Sequence, residues 1–216
     1  MKRVVAIDGP SGAGKSTVAR LVAKDMGFEY LDTGALYRAV ALQLMRAGVK
    51  EDAPDSEIAD VLGRTRIKLR DGGVLLNGEE VTDEIRSNQA SHYASVFSAR
   101  RPVRDYLLDI QRDAAMHANL VAEGRDMTTV VFPDAYRKFY LDAGIDERAR
   151  RRTLELNSRG IAVDEEQVRF DMTKRDARDS NRDIAPLRKA DDAHVIDSTG
   201  VPVEEVLRRM MAVIRS

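Results

Sequence analysis

The sequence predicts an α/β fold: a five-stranded parallel sheet with helices on both faces. Three observations carry this prediction. Strand-like and helix-like segments alternate along most of the chain, as they do in parallel-sheet proteins. The first strand, residues 3–8, is almost wholly apolar, which is expected where both faces of a sheet are covered. That strand runs directly into a glycine-rich loop, which opens an amphipathic helix.

Hydrophobic periodicity gives the elements in order. After the loop, one helical face carries Val18, Leu21, Val22 and Met26. Gly27 is placed to end that helix, because glycine readily adopts the left-handed conformation of a helix C-terminus. The remaining predicted elements are strands over residues 28–31, 120–122, 138–141 and 194–196, and helices over residues 35–47 and 203–214.

Two segments break this alternation. Residues 64–82 read as a small antiparallel meander, with turns at Asp71-Gly72-Gly73 and at Asn77-Gly78. Such a piece cannot easily join a parallel sheet, so it is predicted to be an insert beside the core. Residues 146–182 are helical in pattern and dense in arginine. That composition is typical of a solvated helix pair, or of a lid that closes over phosphates.

The loop after the first strand has the spacing G-x-x-x-x-G-K-[ST], which is typical of phosphate binding between a strand and a helix. Its glycines let several backbone N–H groups point inward, and the next helix aims its positive dipole end at the same spot. Lys15 adds a mobile charge for the outer phosphates, and Ser16 offers a hydroxyl to Mg²⁺. The alternative is a glycine turn of purely structural purpose. The motif, which predicts a bound nucleoside triphosphate, comprises Gly9, Pro10, Ser11, Gly12, Ala13, Gly14, Lys15 and Ser16.

The amino-acid composition argues against several classes of function. The 35 Lys and Arg residues nearly balance 36 Asp and Glu residues, so the net charge of −1 predicts no bulk attraction to nucleic acid or to membranes. The absence of cysteine excludes disulfides, thiolate metal sites and a cysteine nucleophile, and the three histidines lack metal-ligand spacing. No leader segment or membrane span is visible, so we expect a cytoplasmic protein. The near-neutral charge and the lack of an obvious apolar surface stripe predict a monomer.

Polar clusters follow two of the predicted strands. Asp32 is placed to reach Mg²⁺ through water, Thr33 to cap the following helix, and Arg38 to grip a second phosphate. Arg125 and Asp126 lie where a parallel sheet binds its ligands; the alternative is an ion pair that only fastens the loop.

A third cluster lies near the C-terminus. Helical spacing puts Arg175, Asp179 and Arg182 on one face, an arrangement that often just stabilises an exposed helix. Residues 197–200 fit the D-x-x-G pattern of GTPases, but no N-K-x-D motif accompanies them. A strand-to-helix turn explains this segment better.

The chain as a whole resembles the bacterial cytidylate kinases, a family of nucleoside monophosphate kinases. The resemblance spans nearly the whole sequence, including the antiparallel insert. It rests on five segments in this order: GPSGAGKST, LDTGALYR, EGRDMTTVVFPDA, KRDARDSNRDIAPL and ADDAHVIDSTG.

The resemblance implies a role for each motif residue. ATP would lie on the loop from Gly9 to Thr17, with Arg148 and Arg152 as lid residues over its phosphates. The residues implied around the CMP phosphate are Thr33, Arg38 and Arg125; those implied at the cytosine edge are Ser95, Arg104 and Asp126; those implied at the ribose and phosphates are Arg175, Asp179 and Arg182. Among these, Lys15, Arg125, Arg175 and Arg182 are the expected catalytic groups.

The resemblance also sets the expected organisation. Residues 1–216 form one P-loop kinase domain, within which residues 34–102 are the monophosphate-binding insert and residues 146–165 the lid. The family pattern has glycine where this chain has Thr128. If that position requires a positive φ, the β-branched side chain is expected to be strained.

The expected reaction is in-line transfer of the γ-phosphoryl group of ATP to CMP, and to dCMP, with Mg²⁺. No general base is expected, because the acceptor phosphate has a second pKa of about 6 and is largely ionised near neutral pH. Two alternatives remain open at this stage. One is a P-loop kinase for another nucleotide or a small alcohol such as shikimate, and the other is a regulatory NTPase without an acceptor.

Overall fold

The computed structural model describes residues 2–70 and 73–216. Contact clustering divides the chain into two compact units. The core unit comprises Met1–Leu31 and Ala115–Ser216, and the inserted unit comprises Asp32–Ala114. Within the described residues, no helix has the length and apolar character needed to cross a membrane.

The core unit is built on a five-stranded sheet in the order β2-β6-β1-β7-β8. β1 pairs in parallel with β6 and β7, and β7 pairs in parallel with β8. The strands are β1 (Val4–Asp8), β2 (Glu29–Asp32), β6 (Leu120–Gly124), β7 (Arg137–Asp142) and β8 (His194–Asp197). All five residues of β1 are buried, which confirms the prediction that both faces of this strand are covered.

Four helices belong to the core unit: α1 (Lys15–Met26), α6 (Ile145–Ser158), α7 (Glu165–Asn181) and α8 (Val203–Arg215). Every second residue of a strand points to the same face of the sheet. On one face, Ile7, Val121 and Phe139 pack in one cluster with the apolar residues of α1 and α8. A separate small cluster, which includes Leu156 and Met172, holds α6 against α7. The predicted alternation of strands and helices is therefore confirmed.

The inserted unit contains the predicted meander. Its elements are α2 (Thr33–Arg46), α3 (Asp55–Leu62), β3 (Ile67–Arg70), β4 (Gly73–Leu76), β5 (Glu79–Glu80), a 3₁₀ turn (Glu84–Arg86), α4 (Asn88–Phe97) and most of α5 (Arg101–His117). Its strands are antiparallel, as predicted. The turn between β4 and β5 has Asn77 at φ 53° and Gly78 at φ 91°, conformations that this dipeptide favours. Residues 71 and 72 of the other predicted turn lie outside the described residues.

Two local features differ from the sequence-based expectations. A π-helical turn over Met127–Val131 follows β6, and no periodicity in five residues predicts such a turn. α7 ends at Asn181, and Arg182 is extended, with φ −67° and ψ 144°. Arg182 is therefore not part of the helical face that carries Arg175 and Asp179.

Candidate active site

The glycine-rich loop curls tightly between β1 and α1. Gly9, Gly12 and Gly14 all have φ in the left-handed region, at 149°, 78° and 91°. A Cβ on Gly9 would lie 1.9 Å from the carbonyl oxygen of Leu141, and one on Gly12 would lie 3.1 Å from the Cβ of Arg148. Glycine at these positions thus lets the loop pass directly against β7 and α6. Because α1 begins at Lys15, its unsatisfied N–H groups lie next to this curl.

Lys15 is the buried cation of this loop. Its side chain is 6% exposed, and its Nζ donates a hydrogen bond to the Pro10 carbonyl oxygen at 2.7 Å. Burial, and after it the charge of Arg125, lowers the pKa of Lys15 to about 7. Glu123 and Asp8 act in the opposite direction. A phosphate placed against Nζ supplies further negative charge and favours the ammonium form.

Asp8 ends β1 and is completely buried. Its carboxylate accepts hydrogen bonds from the backbone nitrogens of Met127 and Thr128, at 2.9 and 2.7 Å, and from the Thr128 hydroxyl at 2.6 Å. Burial raises the pKa of Asp8 to about 6, although the bonds from Thr128 oppose that rise. Among the described residues other than glycine, only Asn77 and Ala185 have positive φ. The expected strain at Thr128 is therefore absent.

Arginine and aspartate side chains form a cluster of ion pairs beyond the end of β6. Arg125 Nε donates to Asp179 Oδ2 at 3.0 Å, and Arg175 Nε lies 4.0 Å from the same oxygen. Arg182 Nη2 lies 3.8 Å from Asp126 Oδ1, with both side chains buried. Burial by itself would raise the pKa of Asp179, but the guanidinium groups around it hold that pKa below its usual value. The structure thus brings together five predicted site residues as fixed, mutually compensated charges.

The predicted lid arginines differ in their surroundings. Arg148 donates to the carbonyl oxygens of Ser11 and Ala143, at 3.1 and 2.8 Å, and to the Asp176 carboxylate at 2.5 Å. It therefore connects the glycine-rich loop, the end of β7 and α7. Arg152 instead pairs with Glu155 on the same helix, at 2.8 Å, with its side chain 26% exposed.

Arg151 is a residue that sequence reasoning missed. It donates to the Ser198 carbonyl oxygen at 2.6 Å and to the Ser198 hydroxyl at 3.0 Å. That hydroxyl donates in turn to the carbonyl oxygen of Ala13 in the glycine-rich loop, at 3.0 Å. Three consecutive arginines, 150–152, give no sequence signal for which of them faces the loop. The segment 197–200 is a strand-to-helix turn, as predicted, in which Asp197 accepts from the backbone nitrogen of Thr199.

Tyr140 was missed as well, although a signal for it existed. It is the register partner of Asp8 on the neighbouring strand, so both side chains lie on the same face of the sheet. Tyr140 is partly buried, and this burial, together with the charge of Asp142, raises the pKa of its hydroxyl. Pairing the predicted strands by their carboxyl ends would have placed it beside Asp8.

In the inserted unit, the start of α2 corrects one expectation. Asp32, not Thr33, caps the helix: Asp32 Oδ1 accepts from the backbone nitrogen of Ala35 at 2.9 Å, and Thr33 is the first helical residue. Arg38 Nη2 lies 3.6 Å from Asp32 Oδ2. A Cβ on Gly34 would lie 3.0 Å from Arg38 Nη1, so glycine leaves room for this guanidinium.

The inserted unit also holds Ser95 and Arg104, both buried. Arg104 Nη1 donates to the Ser98 carbonyl oxygen at 3.1 Å, and the Ser98 hydroxyl donates to the Ser95 carbonyl oxygen at 2.9 Å. The Arg104 guanidinium also lies 5.8 Å from the centroid of the Tyr37 ring. Ser98 thus links the two predicted base-reading residues.

The described residues contain no cluster of three or more His, Cys, Asp or Glu side chains suited to a metal ion. Ser16 is exposed at the first turn of α1. A single protein hydroxyl is a suitable ligand for Mg²⁺, because this cation usually keeps several waters and takes further ligands from substrate phosphates.

A glycine-rich anion loop at the carboxyl end of a parallel sheet, with a buried lysine and a cluster of fixed arginines beside it, defines a P-loop phosphotransferase. Comparison with known proteins identifies the type. The profile of the family described as Cytidylate kinase matches residues 5–216, and the chain belongs to this family.

Individual relatives agree with the family match. The chain is similar to the cytidylate kinase of Geobacter sulfurreducens, with 49% identity over 98% of this chain and 92% of the relative. It is 47% identical to the cytidylate kinase of Thermodesulfovibrio yellowstonii, over 96% of this chain and 95% of the relative. A crystal structure of an uncharacterized protein from Eubacterium ventriosum covers 100% of this chain and 99% of its own, with a TM-score of 0.56 and 16% identity. That likeness concerns the fold alone.

Proposed function

We propose that this protein transfers the γ-phosphoryl group of ATP to CMP, giving ADP and CDP, and that dCMP is a second acceptor. Membership of the cytidylate kinase family over residues 5–216 supports the reaction. The geometric observation that carries it is the buried pairing of Arg125 with Asp179 and of Arg182 with Asp126. Fixed guanidinium groups of this kind suit an acceptor that is itself a phosphate.

The donor is held by the glycine-rich loop. Within the loop from Gly9 to Thr17, the backbone N–H groups, which all residues except Pro10 have, face the ATP phosphates, and Lys15 neutralises the outer phosphates. Arg148 supports this loop through its bond to the Ser11 carbonyl oxygen, 3.1 Å long. Arg152 swings from its surface pair with Glu155 when the lid, residues 146–165, covers the phosphates.

The acceptor is held by the residues that the family motif assigns. The CMP phosphate contacts Thr33, Arg38 and Arg125, and the ribose and phosphates contact Arg175, Asp179 and Arg182. The cytosine edge is read by Ser95, Arg104 and Asp126. Their low exposure supports this role for Ser95 and Arg104, because buried polar groups that are already oriented discriminate strongly between bases.

The reaction proceeds in line and without a general base. The acceptor oxygen is already ionised near neutral pH, since the second pKa of a phosphate monoester is about 6. The buried carboxylate of Asp8, at the end of β1, already accepts three hydrogen bonds and is not free to take a proton from substrate. The protein contributes position, exclusion of water and neutralisation of the repulsion between two polyanions.

Mg²⁺ accompanies ATP in this proposal. The Ser16 hydroxyl would hold it directly, together with phosphate oxygens, and Asp32 would hold it through water. When bound, the ion neutralises negative charge on the transferred phosphoryl group. We further propose a cytoplasmic monomer with no nucleic-acid or membrane partner, for which the net charge of −1 is the support.

The test is a panel of acceptors. ADP release with ATP and Mg²⁺ is measured against CMP, dCMP, UMP, AMP, dTMP and shikimate, with Lys15→Met as the inactive control. We expect CMP and dCMP to give the highest kcat/KM. Preference for another acceptor, or ATP turnover that no acceptor stimulates, would overturn the proposal.

A further inference from the structure

The Thr128 hydroxyl occupies an unusual place next to the proposed site. It donates to Asp8 Oδ2 at 2.6 Å, and both side chains are almost inaccessible, with Thr128 1% exposed. Two backbone N–H groups, of Met127 and Thr128, donate to the same carboxylate. Three short hydrogen bonds therefore converge on one buried carboxylate.

These bonds join two segments that the proposed chemistry needs in register. Asp8 is the last residue of β1, and the glycine-rich loop begins at the next position. The π-helical turn that opens at Met127 follows directly on Arg125 and Asp126. Whatever fixes the turn to Asp8 also fixes those two side chains relative to the loop.

We propose that the Thr128 hydroxyl is a positioning group for phosphoryl transfer, which locks the segment carrying Arg125 and Asp126 onto the strand that leads into the glycine-rich loop. The backbone bonds to Asp8 are available to any residue at position 128. The hydroxyl adds the one contact that depends on the side chain. The catalytic consequence rests on the proposed function; the geometric lock does not.

The hydroxyl also acts on the charge of Asp8. The ionisable groups that influence this carboxylate, or are influenced by it, are Asp126 on the following loop, Lys15 on α1 and Tyr140 on β7. Burial and Asp126 favour neutral Asp8, whereas the Thr128 hydroxyl favours the anion. Loss of the hydroxyl should therefore raise the pKa of Asp8 from about 6.

The neighbouring residue supplies a matched control. Thr129 lies in the same π-helical turn, and its Oγ1 is buried without a hydrogen-bond partner among the described residues. Thr129→Val removes an idle hydroxyl, and Thr128→Val removes the bonded one by the same isosteric change. Thr128→Ser keeps the hydroxyl and drops only the methyl group.

The first measurement does not depend on catalysis. The Asp8 carboxyl carbon is titrated by ¹³C NMR in the ligand-free wild type, Thr128→Val, Thr128→Ser and Thr129→Val proteins. We expect the pKa of Asp8 to rise by about one unit in Thr128→Val only, the size expected for loss of a hydrogen bond to a charged group. An unchanged pKa in Thr128→Val, or an equal rise in Thr129→Val, would overturn the inference. Thr128→Ala replaces the valine variant if that protein does not fold.

The second measurement is the pH profile of kcat and of kcat/KM with CMP. The ionisation of CMP itself is common to all variants, so differences between them report the protein. In Thr128→Val we expect the acid limb to move up from about 6 by about one unit, so that kcat at pH 7 falls about twofold, with Thr128→Ser close to wild type. Coincident profiles for the valine and wild-type enzymes would refute the positioning role. A wild-type enzyme that ignores CMP refutes the proposed function instead, while the NMR titration still decides the lock.

Discussion

Lysine side chains are almost never fully buried unless they are paired, and Lys15 is 6% exposed with its Nζ on a backbone carbonyl oxygen. Its folded-state pKa of about 7 lies below the ordinary value of 10.5. The folded state therefore binds fewer protons than the unfolded state between these two values. By linkage, the charge of Lys15 destabilises the ligand-free protein most below pH 7, and the penalty is relieved as pH rises toward 10.5.

Replacing this lysine should consequently separate stability from activity. In Lys15→Met we expect the free energy of unfolding at pH 6 to rise by about 1 kcal/mol or more, with a smaller gain at pH 9, while kcat falls at least ~100-fold. Urea unfolding at both pH values and ADP release are the measurements. Lys24→Met, on the exposed last turn of the same helix, is the control and should alter neither. A lower free energy of unfolding in Lys15→Met would show that burial of the Lys15 charge does not destabilise the protein.

Asp179 has the opposite electrostatic character, because surrounding guanidinium groups hold its pKa below its usual value. Asp179→Asn leaves Arg125 without its carboxylate partner at 3.0 Å. We expect kcat/KM for CMP to fall about 10- to 100-fold, since a buried charge-assisted bond is lost. The KM for ATP should change less than about twofold, because the glycine-rich loop is untouched.

Steady-state kinetics with each substrate varied in turn measure this difference. Asp192→Asn removes a carboxylate that pairs with Lys138 on the surface, and it should leave both constants unchanged. Equal damage to the use of ATP and of CMP by Asp179→Asn would remove Asp179 from the acceptor site.

Among elements, those set by periodicity and turn chemistry were predictable. An apolar run followed by glycines predicted β1 and its loop, and the dipeptide Asn77-Gly78 predicted the β4–β5 turn. Elements set by a few tertiary contacts were not. The π-helical turn over Met127–Val131 forms around the carboxylate of Asp8, more than a hundred residues away in the chain. Arg182 likewise leaves the helix with an extended backbone, and its Nε donates to the Ala185 carbonyl oxygen at 2.7 Å.

The start of α2 shows how one side chain can carry two roles that substitution separates. Asp32 caps the helix at 2.9 Å and is also the proposed water-mediated partner of Mg²⁺. Asp32→Ala should lose about 1 kcal/mol of unfolding free energy, because a helix N-cap is removed. Asp32→Asn keeps a capping oxygen and removes the charge, so it should be nearly as stable as wild type.

Titration of kcat with Mg²⁺ then tests the second role. We expect Asp32→Asn to need several-fold more Mg²⁺ for half-maximal activity, since a carboxylate attracts the hydrated ion more strongly than an amide does. Wild-type Mg²⁺ dependence in Asp32→Asn, together with lost stability in Asp32→Ala, would leave Asp32 as a cap only.

At the scale of the whole molecule, the prediction of the site residues relied mainly on the resemblance to a known family. Residue spacing alone predicted phosphate binding by the motif at Gly9–Ser16 and polar ligand-binding clusters at the ends of the strands. Nothing in local spacing distinguishes Ser95 or Arg104, whose burial and shared link through Ser98 emerge only from the packing of the inserted unit. With a net charge of −1, the molecule presents no strong overall field to a polyanion, so attraction depends on this local arrangement.

The proton balance of the molecule on binding ATP follows from these charges. At pH 8 the ligand-free Lys15, with a pKa of about 7, is mostly neutral, and Asp8, with a pKa of about 6, is ionised. Phosphates placed against Lys15 favour its ammonium form, so binding should take up a substantial fraction of one proton. Titration calorimetry in two buffers of different ionisation enthalpy measures that uptake at saturating ATP. Lys15→Met should show none of it, and equal uptake by both proteins would place the responding group elsewhere than the glycine-rich loop.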